Sequence, residues 1–289
     1  MATIENSILR VSIRPQGAEL TSIFNKQTNI EHLWQADPAV WGWHAPNLFP
    51  VVGGLQDDQL RVGEQHFPMG RHGFARQSGF ALVDESPTSA TFELAANEQT
   101  LAVYPYQFVF QIIYSLDEAV LSIVYRVENK DNKTMFFSVG AHPAFTVPFL
   151  PGEQYEDYLL DFQKEEPLTR HLLSPKGYFT GQTEPVLTVG NQLPLTKELF
   201  NQDALVFKTL ESRAVTISST RHNHKVVVSF TAFPMLGIWA KPGADFVCIE
   251  PWLGCADSEG TPVSIDEKEG IQHVEAGGTF EAGFTIGVA

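Results

Sequence analysis

Residues 107–129 read QFVFQIIYSLDEAVLSIVYRVEN and carry the clearest secondary-structure pattern of the chain. Apolar residues occupy every second position of the first half, at Phe108, Phe110, Ile112, Tyr114 and Leu116. The second half repeats this alternation at Leu121, Ile123, Tyr125 and Val127, with Ser122, Arg126 and Glu128 on the other side. Because successive side chains of a strand point to opposite faces, the pattern predicts two strands with one apolar face each. Asp117 and Glu118 lie between the runs and predict a hairpin turn.

Short alternating runs recur along the rest of the chain. Further strands are predicted at Ile8–Ile13, Ala90–Leu94, Ala204–Leu210, Ala214–Ser218, Val226–Phe230 and Phe246–Ile249. A last pair of strands is predicted on either side of a turn at Ala276–Gly278. Helical periodicity is nearly absent, and Thr196–Phe200 is long enough for about one helical turn. Many strands without intervening helices predict an all-β protein, an antiparallel β-sandwich of two large sheets. Gly and Pro mark no linker, so we expect one domain over residues 1–289.

Composition and charge restrict the classes of partner. The 289 residues are 43% hydrophobic and 18% charged, which is ample for a large core and does not indicate disorder. Lys and Arg number 19 against 34 Asp and Glu, so the net charge is −15. Such a surface repels phosphate backbones and anionic lipids, and we expect neither nucleic acid nor membrane as a partner. The same charge is an argument against a phosphorylated small-molecule substrate.

The chain shows no targeting signal. Its first residues lack a basic segment followed by an apolar one, and no apolar run is long enough to span a membrane. The two cysteines, Cys248 and Cys255, are too few for a disulfide framework and lack metal-ligand spacing. Reduced thiols in a cytoplasmic protein are therefore expected. The protein is expected to be a monomer or a homodimer.

Four segments place polar side chains among apolar ones: Arg71–Arg76, Gly140–Phe145, Asn201–Leu205 and Cys248–Trp252. Taken singly, each has an ordinary structural explanation, such as a capping residue or a solvated carboxylate at a strand end. Together they predict a general acid–base site, because His72, His142 and Glu250 are types whose pKa burial can move toward neutrality. No G-x-S-x-G, H-E-x-x-H or C-x-x-C motif occurs, so no serine nucleophile and no metal site is predicted.

The motifs and their order resemble one family. They are Pro46–Gly53, Arg71–Arg76, Gly140–Phe145, Asp203–Phe207 and Ile238–Trp252. In this order, spread over nearly the whole chain, they resemble the aldose 1-epimerase, or galactose mutarotase, family. The resemblance is greatest to its bacterial branch associated with lactose-operon proteins.

The resemblance implies a β-supersandwich that uses no cofactor and interconverts the α and β anomers of a free aldose such as galactose or glucose. By the same resemblance His142 is the acid, Glu250 the base, His72 a further catalytic group that holds the sugar, and Asp203 a substrate ligand. The residue types suit this chemistry, which takes a proton from the C1 hydroxyl and gives one to the ring oxygen. We expect the acid and the base on opposite sides of the ring. Trp239 and Trp252 are the aromatic residues best placed to stack on a sugar.

One position departs from the family pattern. Relatives often carry an Arg where this chain has Gly54, so Arg71 or Arg76 is expected to supply the missing cation. The net charge and Gly54 together favour a neutral aldose over its 6-phosphate.

Three alternatives remain open. A hexose-6-phosphate mutarotase would need a basic pocket, and a non-catalytic carbohydrate-binding protein would use the same cleft without turnover. A glycoside hydrolase would recruit Glu250 and Asp203 as its two carboxylates but would leave the histidines unexplained.

Overall fold

The computed structural model describes all 289 residues, and β-strands are its main element. The strands are β1 (Ala2–Glu5), β2 (Leu9–Arg14), β3 (Glu19–Asn25), β4 (Ile30–Glu31), β5 (Asn47–Leu48), β6 (Gln59–Val62), β7 (Gln65–Pro68), β8 (Ala81–Ser86), β9 (Ser89–Ala95), β10 (Phe108–Asp117), β11 (Val120–Asn129), β12 (Met135–Phe137), β13 (Val139–Ala141), β14 (Ala144–Thr146), β15 (Tyr158–Phe162), β16 (Leu168–Leu173), β17 (Phe179–Val186), β18 (Gln192–Pro194), β19 (Leu205–Phe207), β20 (Ala214–Ser219), β21 (Val226–Ser229), β22 (Met235–Trp239), β23 (Phe246–Leu253), β24 (Gln272–Val274) and β25 (Thr279–Val288). Helical structure is limited to α1 (Glu98–Leu101) and to 3-10 turns at Gln56–Asp58, Ala75–Gln77, Tyr155–Asp157 and Ile265–Glu267.

Two large antiparallel sheets form the body of the fold. The first has nine strands in the order β18-β15-β20-β21-β25-β11-β10-β9-β8. The second has the order β17-β16-β19-β22-β23-β13-β5, and β14 also pairs with β23. A four-stranded sheet, β1-β2-β3-β4, and the pairs β12-β24 and β6-β7 complete the structure.

The two large sheets pack face to face. A hydrophobic cluster of 72 buried residues extends from Ala2 to Val288 and includes side chains of both sheets. Tyr125 of β11 crosses the interface, and its hydroxyl donates to Oδ1 of Asn47 on β5 over 2.8 Å. The antiparallel β-sandwich predicted from the sequence is therefore confirmed.

The β10–β11 hairpin forms in the predicted register. Phe108 pairs with Asn129 and Asp117 with Val120, and the residues predicted to be apolar on one face are buried in strict alternation. Glu118 lies in the turn with a φ of 50°. The turn therefore falls at the predicted position.

Several predicted boundaries change in the structure. The strand predicted at Ala204–Leu210 covers only Leu205–Phe207, whereas the strand begun at Phe246 continues beyond Ile249 to Leu253. Thr196–Phe200 forms turns and no helix. The strands on either side of Ala276–Gly278 both exist, but they pair with β12 and with β11 and β21, not with each other.

Both cysteines are free, as predicted, and both are buried. None of the helices has the length and apolar composition that crossing a membrane requires.

Candidate active site

A cavity of about 230 Å³ opens on the face of the second sheet that points away from the nine-stranded sheet. Its wall contains all seven site residues predicted from the sequence, namely Arg71, His72, Arg76, His142, Asp203, Trp239 and Glu250. These residues come from segments far apart in the chain, and the order of the strands brings them together.

Strand β23 places Glu250 in the cavity by simple alternation. Val247 and Ile249 point into the core between the sheets, while Glu250 and Trp252 point to the cavity. All eight residues of this strand are buried, because one face meets the sandwich core and the other meets the floor of the cavity. A carboxylate is thus held on a rigid central strand.

Two glycines make room for Trp252 beside Glu250. Gly237 of β22 pairs with Glu250, and a Cβ at Gly237 would lie 2.7 Å from the indole of Trp252. Gly140 of β13 pairs with Trp252, and a Cβ there would also lie 2.7 Å from that ring. The indole therefore lies across the neighbouring strands at positions that have no side chain.

His142 and Glu250 are in direct contact at the base of the cavity. His142 follows β13, and its Nε2 lies 3.2 Å from Oε2 of Glu250. Neither Oε2 of Glu250 nor Nδ1 of His142 has a hydrogen-bond partner within the protein, and both are buried. Buried polar atoms without partners are uncommon, and at a cavity wall they are available to a ligand.

Burial shifts the pKa of both members of this pair. It raises the pKa of the Glu250 carboxyl well above its usual value, and the charge of Asp203 adds to the rise. It lowers the pKa of His142 to about 3, with a smaller contribution in the same direction from Arg76. A carboxylate with a raised pKa is a stronger base, and an imidazolium with a lowered pKa is a stronger acid.

His72 is fixed in one tautomer by the loop around Gly53. Nδ1 of His72 accepts the backbone N–H of Gly53 over 3.1 Å, and the N–H of His72 donates to Gly53 O over 2.9 Å. Nε2 of a neutral His72 therefore carries the proton and is a hydrogen-bond donor. Burial and the charges of His142, Arg76 and Arg71 lower its pKa well below the usual value, so the neutral form is favoured.

Asp203 and Trp239 occupy the rim. Asp203 is exposed in the loop before β19, where its backbone has a φ of 72° and its Oδ1 accepts the N–H of Ala204 over 2.8 Å. Trp239 ends β22, half-buried, with its edge toward the imidazole of His142 at 5.8 Å between ring centroids. Both side chains are within the cavity wall, as predicted.

Trp41 is a site residue that the sequence analysis missed. Its indole stacks on His142, with centroids 5.1 Å apart and planes inclined by 27°. The loop that carries it has no alternating pattern, and nothing local indicated which of five tryptophans would reach the cavity. Leu173 and Phe179 of the β16–β17 hairpin also line the wall without having been singled out.

The two arginines near His72 have no acidic partner. Arg71 donates to the backbone oxygen of Lys176 over 2.8 Å, and Arg76 donates to the backbone oxygen of Arg71 over 2.9 Å. The guanidinium of Arg76 lies 5.4 Å from the ring centroid of Trp43. Burial and the charge of Arg71 lower the pKa of Arg76.

Three side chains of the site are also possible metal ligands. One ligand atom each from His142, Cys248 and Glu250 lies within 4.8 Å of the others. A cysteine ligand must lose its proton, and burial together with Glu250 raises the pKa of Cys248 well above its usual value. The site therefore suits proton transfer better than it suits a thiolate–metal bond.

Comparison with known proteins identifies the family of the chain. The family model for aldose 1-epimerase matches residues 1–267. The plasmid-encoded protein LacX of Lactococcus lactis subsp. lactis is 35% identical over 280 residues, which is 94% of this chain and 93% of LacX.

Two solved structures share the whole fold. A galactose mutarotase related enzyme from Lactobacillus acidophilus has a TM-score of 0.94 and 34% identity, covering 100% of this chain and 97% of its own. A galactose mutarotase-like protein from Lactobacillus casei has the same TM-score and identity and covers 100% of both chains. The family model and these relatives agree over nearly the full length, and the chain belongs to the aldose 1-epimerase family.

Proposed function

We propose that this protein interconverts the α and β anomers of an aldose by acid–base ring opening. The observation that carries the proposal is the contact of His142 Nε2 with Glu250 Oε2, 3.2 Å apart and buried at the wall of a small cavity. The two reacting oxygens of a cyclic aldose are both bonded to C1. An acid and a base that are themselves neighbours, as these two are, can serve both oxygens from one edge of the ring.

The contact changes the expected approach to the substrate. A separation of 3.2 Å leaves no room for a sugar ring between the two groups, so this contact does not support an approach from opposite sides of the ring. In the proposed approach both groups reach the ring along one edge, where O1 and O5 lie side by side.

The reaction is a relay of two protons through the sugar. Ionised Glu250 takes the proton of the C1 hydroxyl, the C1–O1 bond becomes a carbonyl, and the C1–O5 bond breaks. The ring oxygen takes a proton from the His142 imidazolium at Nε2. Rotation about C1–C2 presents the other face of the aldehyde, and closure reverses both transfers.

The pair holds one proton throughout this cycle. Ring opening converts imidazolium and carboxylate into imidazole and carboxylic acid, and ring closure restores the ion pair. Burial favours the neutral arrangement, because desolvation penalises both charged forms. The pKa shifts therefore favour ring opening. Ring closure re-forms the ion pair, because His142 takes the proton of the ring-closing hydroxyl and Glu250 gives one to O1.

The remaining residues suit binding. His72 presents Nε2–H to a sugar oxygen, Asp203 accepts from hydroxyls at the rim, and Trp239 and Trp252 offer apolar faces to the ring. The contact between His142 and Glu250 also favours this proposal over a glycoside hydrolase, which requires two carboxylates and gives a histidine no role beside one of them.

Polarimetry of freshly dissolved α-galactose and α-glucose tests the proposal. We expect the first-order rate of rotation change to rise in proportion to protein concentration above the buffer rate. Exchange between anomer signals in NMR spectra extends the measurement to sugars with fast spontaneous exchange. Sugar binding without any acceleration of anomer exchange would favour the non-catalytic carbohydrate-binding alternative and would refute the proposed enzymatic activity.

A further inference from the structure

Two arginines in the wall of the active-site cavity have no carboxylate to balance them. Five of the nine arginines in the chain pair with Asp or Glu, but no carboxylate lies within 4.0 Å of Arg71 or Arg76. Arg10 and Arg213 also lack a carboxylate partner, but neither of them lines the cavity. The acidic side chains in the same wall, Asp203 and Glu250, pair with neither arginine.

Neutral contacts hold both guanidinium groups in place. Arg71 donates to Lys176 O and Arg76 to Arg71 O, over 2.8 and 2.9 Å, and Trp43 packs against Arg76. Carbonyl oxygens and an indole orient a guanidinium without neutralising it. Nε of Arg76 is buried and has no hydrogen-bond partner. Each guanidinium is therefore anchored by a backbone oxygen and lacks a counter-charge, with Arg71 exposed and Arg76 half-buried.

The surrounding backbone leaves space for Arg71. Gly177 has a φ of 77°, and a Cβ at this position would collide with the guanidinium of Arg71. A Cβ at Gly54 would lie 3.8 Å from Nη2 of Arg71. The guanidinium of Arg71 thus occupies the space left by Gly54 and Gly177 and supplies a cation there.

We infer that the aldose bound here carries a phosphate monoester, and that Arg71 and Arg76 bind this group. The inference rests on the proposed function and names its substrate class. Two fixed guanidinium groups offer several N–H donors to the three terminal oxygens of a phosphate, and two positive charges match a dianion. A neutral sugar would leave the two cations repelling each other inside the cavity.

Local charge outweighs net charge in this argument. The acidic surface favours a neutral aldose, but exposed charges more than about 10 Å away are screened by salt, whereas charges within a cavity are much less so. An acidic surface slows the approach of a dianion, and two arginines in contact with it stabilise the complex.

The test compares kcat/KM for anomer exchange of galactose, glucose, their 6-phosphates and galacturonate, measured by NMR exchange at low and high salt. We expect each 6-phosphate to exceed its parent sugar by about tenfold or more, and the ratio to fall as salt rises. Galacturonate carries one negative charge on C6 and should lie close to the neutral sugars. Equal rates for a sugar and its 6-phosphate, or for galacturonate and galactose 6-phosphate, would overturn the inference while leaving the proposed function intact.

Variants locate the effect. Arg71→Gln and Arg76→Gln should each lower kcat/KM for the 6-phosphates by about tenfold or more, and should lower it for the 6-phosphates more than for the neutral sugars. Arg10→Gln is the matched control, because Arg10 also lacks a carboxylate partner but lies on β2 over the ring of Phe24. It should change neither value.

A uniform loss on all sugars in the two cavity variants, with thermal unfolding unchanged, would assign the arginines to general sugar binding. No acceleration of any sugar by the wild-type protein would refute the proposed function itself.

Discussion

Glu19, on β3 of the four-stranded sheet, and Glu250, on β23 of the second large sheet, are both buried, but their surroundings differ. Glu19 accepts the backbone N–H groups of His44 and Ala45 over 2.8 and 3.0 Å and forms an ion pair with Arg14. Glu250 accepts no hydrogen bond from the protein and contacts only the imidazole of His142 among charged groups. A buried carboxylate that accepts backbone N–H groups and pairs with an arginine stabilises the fold, whereas one that contacts only an imidazole beside a cavity is available for chemistry.

The two arginines near Trp43 repeat the contrast. The guanidinium groups of Arg14 and Arg76 lie 5.8 and 5.4 Å from the centroid of its ring. Arg14 pairs with Glu19, and Arg76 has no carboxylate and lines the cavity. Trp43 thus contacts one arginine that is paired with a carboxylate, Arg14, and one that lines the cavity, Arg76.

The largest expected effect is that of replacing Glu250. Glu250→Gln should reduce kcat for anomer exchange by ~10²–10⁴-fold, because the amide keeps the shape but cannot accept the C1 proton. Sugar affinity and thermal stability should stay close to those of the wild type, since burial already favours the neutral carboxyl and the amide is neutral and of the same shape. Polarimetry, NMR exchange and thermal unfolding measure the three quantities. A variant within a few-fold of wild-type kcat would remove Glu250 from the role of base.

The two histidines should separate kinetically. His142→Asn removes the acid, which acts mainly in the transition state, so kcat should fall about 100-fold with little change in KM. His72→Asn removes the Nε2–H that faces the cavity, so kcat and KM should both worsen by about tenfold. Asn tolerates the left-handed backbone of His72, whose φ is 67°, which limits any effect on folding. Equal kinetic profiles for the two variants would contradict this division of roles.

The paired carboxylate should show the opposite behaviour. Glu19→Gln should lower the free energy of unfolding by about 2 kcal/mol or more, because Arg14 and the N–H groups of His44 and Ala45 lose an ionised partner. Chemical denaturation measures this change. The folded variant should keep kcat within about twofold of wild type, since Glu19 is not part of the cavity wall. Loss of kcat without loss of stability would show that the two carboxylates do not divide the roles in this way.

Much of the fold is predictable because the pattern that makes it is local. The alternation at residues 108–127 fixes both the strands and the buried face, and the hairpin follows from the turn residues between them. Strand β23 was cut short at Ile249 because Glu250 and Pro251 oppose a strand assignment locally. They are tolerated there because β22 and β13 pair with that segment and the cavity accepts the carboxylate.

The site was predicted in its residue types and segments but not in its geometry. Motif order identified His72, His142 and Glu250, since these residues lie in dense polar segments of the sequence. The 3.2 Å contact, the stacking of Trp41 on His142 and the absence of ion pairs at Arg71 and Arg76 depend on side chains from distant segments. No local pattern encodes such contacts, because they result from the pairing order of the strands.

The smallest expected effect is that of pH on the catalytic pair. The pair is active when it holds one proton, and both the doubly protonated cation and the unprotonated anion are inactive. Burial disfavours each of these charged states, since it lowers the pKa of His142 to about 3 and raises that of Glu250 well above its usual 4.5. The lower limit of activity therefore moves to lower pH and the upper limit to higher pH.

We accordingly expect kcat to change much less between pH 5 and pH 7.5 than it would for an unshifted pair, once the buffer-catalysed rate is subtracted. An exposed and independent pair with ordinary values of 6.5 and 4.5 would behave differently, because the imidazolium would be lost above pH 6.5. Such a pair would give a narrow maximum between those values and a roughly tenfold loss by pH 7.5. NMR exchange over this range distinguishes the two profiles, with thermal unfolding at each pH to show that the protein stays folded. A narrow bell-shaped dependence of kcat on pH would mean that water reaches Glu250 and His142 during turnover and that the cavity does not isolate them.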